Sequence, residues 1–191
     1  MSTKFDIITP GGFFHICDRA VGDELLFRRA EDYTDWMSRI EKFILPVAEL
    51  HAYCLMNNHY HLLIRALETT DHDLFSTQMS RLQSTYAKDY NRTYDRKGGL
   101  FMRPFARREI LNEAQLAWVF WYIHRNPLHH GISLNWETWA YSSYPFYINN
   151  VPSIITTNFC TELFGGLEQL KAHHTMNANA FNTEFMGFSL D

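Results

Sequence analysis

Residues 49–67 read ELHAYCLMNNHYHLLIRAL, two apolar runs of strand length parted only by Asn57-Asn58. Two such runs around an Asn-Asn dipeptide predict an antiparallel hairpin. Every other element has to be arranged around that pair of strands. The second strand carries His59 and His61 at i and i+2, so both imidazoles share one face. Their Cβ atoms lie roughly 7 Å apart, close enough to converge on one ion. Tyr60, Leu62 and Ile64 point the other way, into the core. Imidazole suits divalent transition metals. By itself, a His-x-His pair describes two surface histidines as well as two metal ligands.

The flanking sequence supplies the rest of a sheet. FFHICDRAVG (13–22) reads as a strand that ends in a turn. Residues 31–47 place Trp36, Ile40, Phe43 and Ile44 at helical spacing. Asp71 or Asp73 caps a long helix that runs to about Tyr94, with Leu74, Phe75, Met79, Leu82, Tyr86 and Tyr90 on its buried side. LFMRPFARREI (100–110) predicts a fourth, irregular strand, and Pro104 marks an edge or a bulge. Asn112 caps a further helix, EAQLAWVFWYIHRN, expected to end before Pro127. The order β-α-β-β-α-β, then α, predicts an α+β chain with a ferredoxin-like antiparallel sheet and helices on one face. Residues 1–130 make the expected main domain. Residues 131–191 form an aromatic and polar C-terminal extension of loops and short helices packed on it.

Composition narrows the class. The 191 residues are 46% apolar and 20% charged, as in an ordinary soluble globular chain. Cys17, Cys54 and Cys160 are too few and too scattered for a disulfide framework or a zinc knuckle, so they read as reduced core residues. No apolar run reaches the ~18 residues of a membrane helix, and MSTKFDIITPGG lacks a secretory apolar segment. A cytoplasmic protein is expected. The net charge of -4 hides an asymmetry. Residues 81–108 hold eight basic side chains (Arg81, Lys88, Arg92, Arg96, Lys97, Arg103, Arg107, Arg108) against two acids. A local basic patch speaks to phosphate, although a solvated face has the same composition. Arg81, Lys88, Arg92 and Arg96 fall within a narrow arc at steps of seven and four.

The helix before Pro127 offers two further groups. Tyr122 and Asn126 are i and i+4, one turn apart on one face. An Asn carbonyl oxygen is a competent ligand for a hard divalent ion, and Tyr122 sets a phenol beside it. Packing with Trp118 and Trp121 explains Tyr122 equally well.

Taken together, these segments resemble a family. His59-Tyr60-His61, preceded by MNN and followed by LLIR, resembles the His-hydrophobic-His core of HUH endonucleases. YIHRNP (122–127), followed by LHHG, is similar to the segment that carries the single tyrosine of REP-associated tyrosine transposases. YNRTYDRKGGLFMRPFARR resembles that family's long-helix end and following strand, and WAYSSYPFY its tail. The match covers roughly residues 10–170, with the motifs in the family's order. Related insertion-sequence transposases carry Gln where this chain has Asn126, a shorter amide.

The resemblance implies a DNA nicking and joining enzyme of the HUH fold. Its substrate is single-stranded DNA, at the foot of a hairpin in a repeat element. Tyr122 is then the nucleophile, leaving a 5′-phosphotyrosine and a free 3′-OH. His59, His61 and Asn126 hold a divalent metal, Mg²⁺ or Mn²⁺. Arg81, Lys88, Arg92, Arg96, Arg103, Arg107 and Arg108 follow the DNA backbone. A monomer acting in cis is expected, with no membrane partner. Two other readings stay open: a single-strand DNA-binding module that has lost strand transfer, and a metal-dependent hydrolase with Tyr122 as packing. RNA binding by the sheet ranks below both, because the aromatic consensus of RNA-recognition modules is absent from the strands.

Overall fold

The computed structural model describes residues 5–102, 104–149 and 151–176. Four strands, β1 (Phe13–Arg19), β2 (Ala48–Leu55), β3 (His59–Ala66) and β4 (Ala106–Ile110), form one antiparallel sheet in the order β2-β3-β1-β4. Helices α1 (Ala30–Arg39) and α2 (His72–Thr93) connect them, giving the ferredoxin-like succession and α+β class expected from the sequence. Asp71 is the cap of α2, its Oδ1 accepting from the Leu74 N–H at 2.8 Å. The β2–β3 turn is held by its surroundings: the N–H groups of Leu26 and Phe27 both donate to the Asn57 carbonyl.

The strand period of two gives the sheet distinct faces. On one, Phe14, Ile16, Tyr60, Leu62 and Ile64 are fully buried beneath α1 and α2. Trp36 of α1 lies 4.7 Å from the Tyr60 ring. Gln83 of α2 donates to Tyr60 Oη at 3.0 Å and to Asp18 at 2.7 Å, which satisfies the polar groups buried there. The opposite face carries His15, Cys17, His59 and His61. The register sets Cys17 against His61, Arg19 against His59 and His15 against Arg108. That face is covered by α3 (Glu113–His129), so the helix predicted to bear Tyr122 lies over the histidines.

Two expected boundaries shift. The fourth strand spans Ala106–Ile110 rather than 100–110, and Phe101 keeps only an isolated bridge to Ala20. Pro104 has no N–H for a ladder, so pairing starts beyond it. The second correction concerns α3, which does not end before Pro127 but runs through it to His129. The chain resumes helical bonding at once, His130 N–H donating to the Asn126 carbonyl at 3.0 Å. A proline in a helix interior costs about 3 kcal/mol. Burying Leu116, Trp118, Val119, Phe120, Trp121 and Ile123 offsets that, at about 1.5–3 kcal/mol for each large side chain.

The segment after α3 closes the sheet's β2 edge. Leu55 N–H donates to the Tyr141 carbonyl, Ser143 N–H to the Tyr53 carbonyl, and the Trp139 indole to the Leu55 carbonyl. An edge strand covered in this way is shielded from pairing with another chain. Helices α4 (Tyr144–Asn149), α5 (Thr157–Leu163) and α6 (Leu167–His174) complete the described chain. His174 of α6 meets His124 of α3 at 2.9 Å in the interior.

Candidate active site

The site is built on β3, which is hydrogen-bonded on both sides and therefore rigid. His61 is fully buried and His59 half-buried, with ring centroids 5.1 Å apart. Asn58 Oδ1 lies 2.7 Å from His59 Nδ1. An amide oxygen only accepts, so the neutral His59 ring carries its proton on Nδ1 and its lone pair on Nε2. His61 Nδ1 lies 2.9 Å from Nε2 of His15, a fully buried residue of β1.

Helix α3 and its C-cap His130 bring four residues to this face: Tyr122, Asn126, His129 and His130, spaced i, i+4, i+7 and i+8. The Tyr122 ring meets the His61 ring edge-on at 5.7 Å and the His15 ring at 6.0 Å. The His130 ring sits 4.6 Å from His59. Asn126 is one turn from each of Tyr122 and His130, whose rings meet His61 and His59 respectively. Tyr122 is only 6% exposed and is clamped between the parallel rings of Trp118 at 5.0 Å and His129 at 5.6 Å.

Asn126 departs from its expected state. Its amide does not point out from a helix end, because the helix continues and buries it completely. Its Nδ2 donates to the Tyr122 carbonyl at 3.1 Å. Its Oδ1 is buried with no hydrogen-bond partner among the described residues. A buried carbonyl oxygen left unsatisfied costs free energy and calls for an explanation. Among the described residues, no three His, Cys, Asp or Glu side chains form a metal-holding group. A cation on the histidine pair therefore needs a ligand of another kind, and an amide oxygen has that chemistry.

Beside His59 opens a cleft of about 470 Å³, lined by Cys17, Asp18, Arg19, Asn58, His59, Met102, Pro104, Ala106 and His130, with Phe5 at its rim. It opens onto His59 from the β4 side of the sheet, while His61 lies outside its lining and is fully buried.

The basic residues divide. Arg81, Lys88 and Arg92 are exposed on α2, across the sheet from the histidines. Arg92 pairs with Asp89 at 2.9 Å. Arg96 does not continue their arc. The helix ends at Thr93, and Asp95 takes a left-handed φ of 48°. The chain turns there, and the Arg96 guanidinium bonds Glu24 at 2.6 Å and the Gly99 carbonyl at 2.8 Å. Arg28 and Arg96 together hold the Glu24 carboxyl down at about 2. Arg107 faces the α1–α2 side, donates to the Asp6 carbonyl and lies over the Phe5 and Phe105 rings. Arg108 shares the histidine face and is 7% exposed. Burial lowers the pKa of both. Arg103 lies outside the described residues.

Sequence reasoning passed over His15, His129 and His130. A lone imidazole inside FFHIC was the available signal for the first. Helical spacing from Tyr122 was the signal for the other two, once the proline is allowed inside the helix.

Fold and site together describe a class: a ferredoxin-like sheet whose central strand offers two histidines to a tyrosine on a covering helix. No family model matches the chain. In sequence, it is 29% identical over 103 residues, half of its length, to a Haemophilus influenzae protein bearing the name REP-associated tyrosine transposase. That match spans 58% of the relative's length. In fold, it is similar to a REP-associated tyrosine transposase solved bound to a REP hairpin, with a TM-score of 0.67 and 17% identity over 81% of this chain and 90% of that one. The resemblance read from the motifs is thus met in both comparisons. No helix among the described residues is long and apolar enough to cross a membrane.

Proposed function

We propose that this chain is a REP-associated tyrosine transposase, a single-strand DNA nicking and joining enzyme that acts beside a hairpin. The observation that carries the reading is the Tyr122 ring packed edge-on at 5.7 Å against His61, which shares its strand face with His59. A phenol becomes a nucleophile for phosphoryl transfer when a base or a metal ion activates it, and a pair of imidazoles can hold such an ion.

Tyr122 Oη attacks the phosphorus of a phosphodiester. The phenol gives up its proton as the bond from Tyr122 to phosphorus forms; the bond to the 3′ oxygen breaks, and that oxygen takes up a proton and leaves as a 3′-OH. The 5′ end stays on the enzyme as a phosphotyrosine. The reverse attack by a 3′-OH rejoins a strand without a nucleotide cofactor, because the phosphotyrosyl ester conserves the cleaved bond. His59, His61 and Asn126 would hold a divalent cation, Mg²⁺ or Mn²⁺, through two imidazole nitrogens and the buried amide oxygen. When bound, such a cation supplies Lewis-acid polarisation of the scissile phosphate. Trp118 and His129 keep the Tyr122 ring fixed, so little orientation is lost on reaching the transition state. The cleft beside His59 receives the strand. Exposed Arg81, Lys88 and Arg92 give non-specific contact to phosphates further along the DNA.

The test is incubation of the protein with labelled hairpin-flanked single-stranded DNA and Mn²⁺, read on a denaturing protein gel. A covalent adduct that vanishes in Tyr122→Phe supports the reading. Cutting without an adduct makes the protein a hydrolase, and binding without cutting makes it a DNA-binding module.

A further inference from the structure

We infer that His15 is a positioning residue: it holds the proton of the His61 imidazole on Nδ1 and so presents Nε2 of that ring as a ligand. The inference rests on the metal-site reading above and assigns a part to a residue outside it.

His15 stands on β1 with no exposed surface. Its neighbours Phe14 and Ile16 fill the core on the other face. Burying an imidazole in a central strand is costly unless it is hydrogen-bonded. Cross-strand register sets its diagonal neighbour as His61, and its Nε2 lies 2.9 Å from His61 Nδ1. One of these nitrogens donates and the other accepts. With the proton on His15 Nε2, the neutral His61 ring would carry its own proton on Nε2 and would bind no cation. With the proton on His61 Nδ1, the lone pair lies on Nε2.

His59 identifies the direction. Its Nδ1 is held at 2.7 Å by Asn58 Oδ1, which can only accept. Both strand histidines are therefore gripped at the same nitrogen, one by an amide oxygen and the other by an imidazole. The common result is two Nε2 lone pairs on one sheet face. Partners of this outer kind set both tautomer and ring orientation of metal-binding histidines. His15 also touches the nucleophile, its ring 6.0 Å from Tyr122 in an edge contact. It thus links the placement of His61 to that of Tyr122.

The test uses the full chain without DNA, three variants and Mn²⁺ alone as the probe. Glutamine at position 15 offers an amide oxygen near the place of Nε2; leucine keeps bulk and offers no acceptor. In the metal-free protein, ¹⁵N chemical shifts of the His61 ring should report a protonated Nδ1. His15→Leu should lose that preference and His15→Gln should keep it. Mn²⁺ affinity should fall about 10- to 100-fold in His15→Leu, the range for loss of such an outer partner, and recover in His15→Gln. A His61 ring protonated on Nε2 in the unsubstituted protein overturns the inference. So does an unchanged tautomer in His15→Leu. Where leucine prevents folding, the unsubstituted and Gln proteins still decide by the same shifts. Mn²⁺ affinity unaffected by His61→Ala overturns the metal-site reading instead, while the metal-free shifts still judge His15.

Discussion

In α3, Asn126 stands one turn beyond Tyr122, and its amide nitrogen donates to the Tyr122 carbonyl across 3.1 Å. That bond fixes the amide with its oxygen buried and unmatched among the described residues. Two consequences follow for Asn126→Leu. The metal-free protein should be as stable as the original or gain up to about 1 kcal/mol, since an unsatisfied buried acceptor is removed at similar volume. The rise in Tm produced by Mn²⁺ should largely disappear. Thermal unfolding with and without the ion measures both. A full metal-induced shift in the leucine protein would remove Asn126 from the ligand set.

Arg96 should behave unlike the other basic residues grouped with it. Arg81→Ala with Lys88→Ala should leave stability unchanged. The pair should flatten the plot of log affinity against log salt by about 1.4, near 0.7 for each phosphate of a single strand that is no longer neutralised. Arg96→Ala breaks charged bonds to Glu24 and Gly99 in a half-buried setting. It should cost about 1.5–3 kcal/mol in urea unfolding. A salt slope unchanged by the first pair moves the DNA path off α2.

Acid should loosen the contact between α3 and α6. Leu170 can only accept, so His174 Nδ1 carries a proton and its Nε2 accepts from His124 Nδ1. His124 Nε2 in turn accepts from the Ser143 hydroxyl at 2.7 Å. Both rings are neutral, and burial holds His174 down at about 3 and His124 well below the usual range. The unfolded rings titrate near 6.5. The stabilisation is therefore complete above pH 6.5 and is lost as pH falls from there towards the folded values. At pH 5, His174 alone accounts for about 2 kcal/mol, at 1.36 kcal/mol per pH unit. Urea midpoints at pH 7.5 and pH 5 check this. Ser143→Ala should lower stability at pH 7.5, by removing the donor that satisfies the neutral His124 ring, and should leave the fall towards pH 5 no steeper.

Asp95 ends α2 in the left-handed region, at a φ of 48°. Asp95→Gly should raise stability by about 0.5–1 kcal/mol, because glycine takes that conformation without a side-chain clash. A lower Tm in the glycine protein would show that the Asp95 side chain contributes more than its backbone costs.

The legible parts of this molecule were those fixed by local chemistry. Alternation placed His59 and His61 on one face, Asn57-Asn58 made the hairpin, and Asp71 and Asn112 capped their helices. Two matters were not local. Pro127 reads as a stop in any isolated helix, and only the buried face of α3 carries the chain through it; His129 and His130 stayed hidden behind that reading. The role of His15 depends on cross-strand register, a relation between residues 46 apart. Spacing along α2 grouped four basic residues, yet it could not say that α2 lies across the sheet from Tyr122 or that Arg96 turns away.

β1 and β3 occupy the middle of the sheet, whereas the last turn of α3 lacks the amide proton of Pro127. Local opening starts where backbone bonds are fewest and spares paired central strands longest. On warming, the turn bearing Asn126, His129 and His130 should let go while the strands keep their amide protons from exchange. The clamp on Tyr122 then fails in a chain that still has its sheet. The proposed strand-joining activity would have a melting point of its own, below that of the fold.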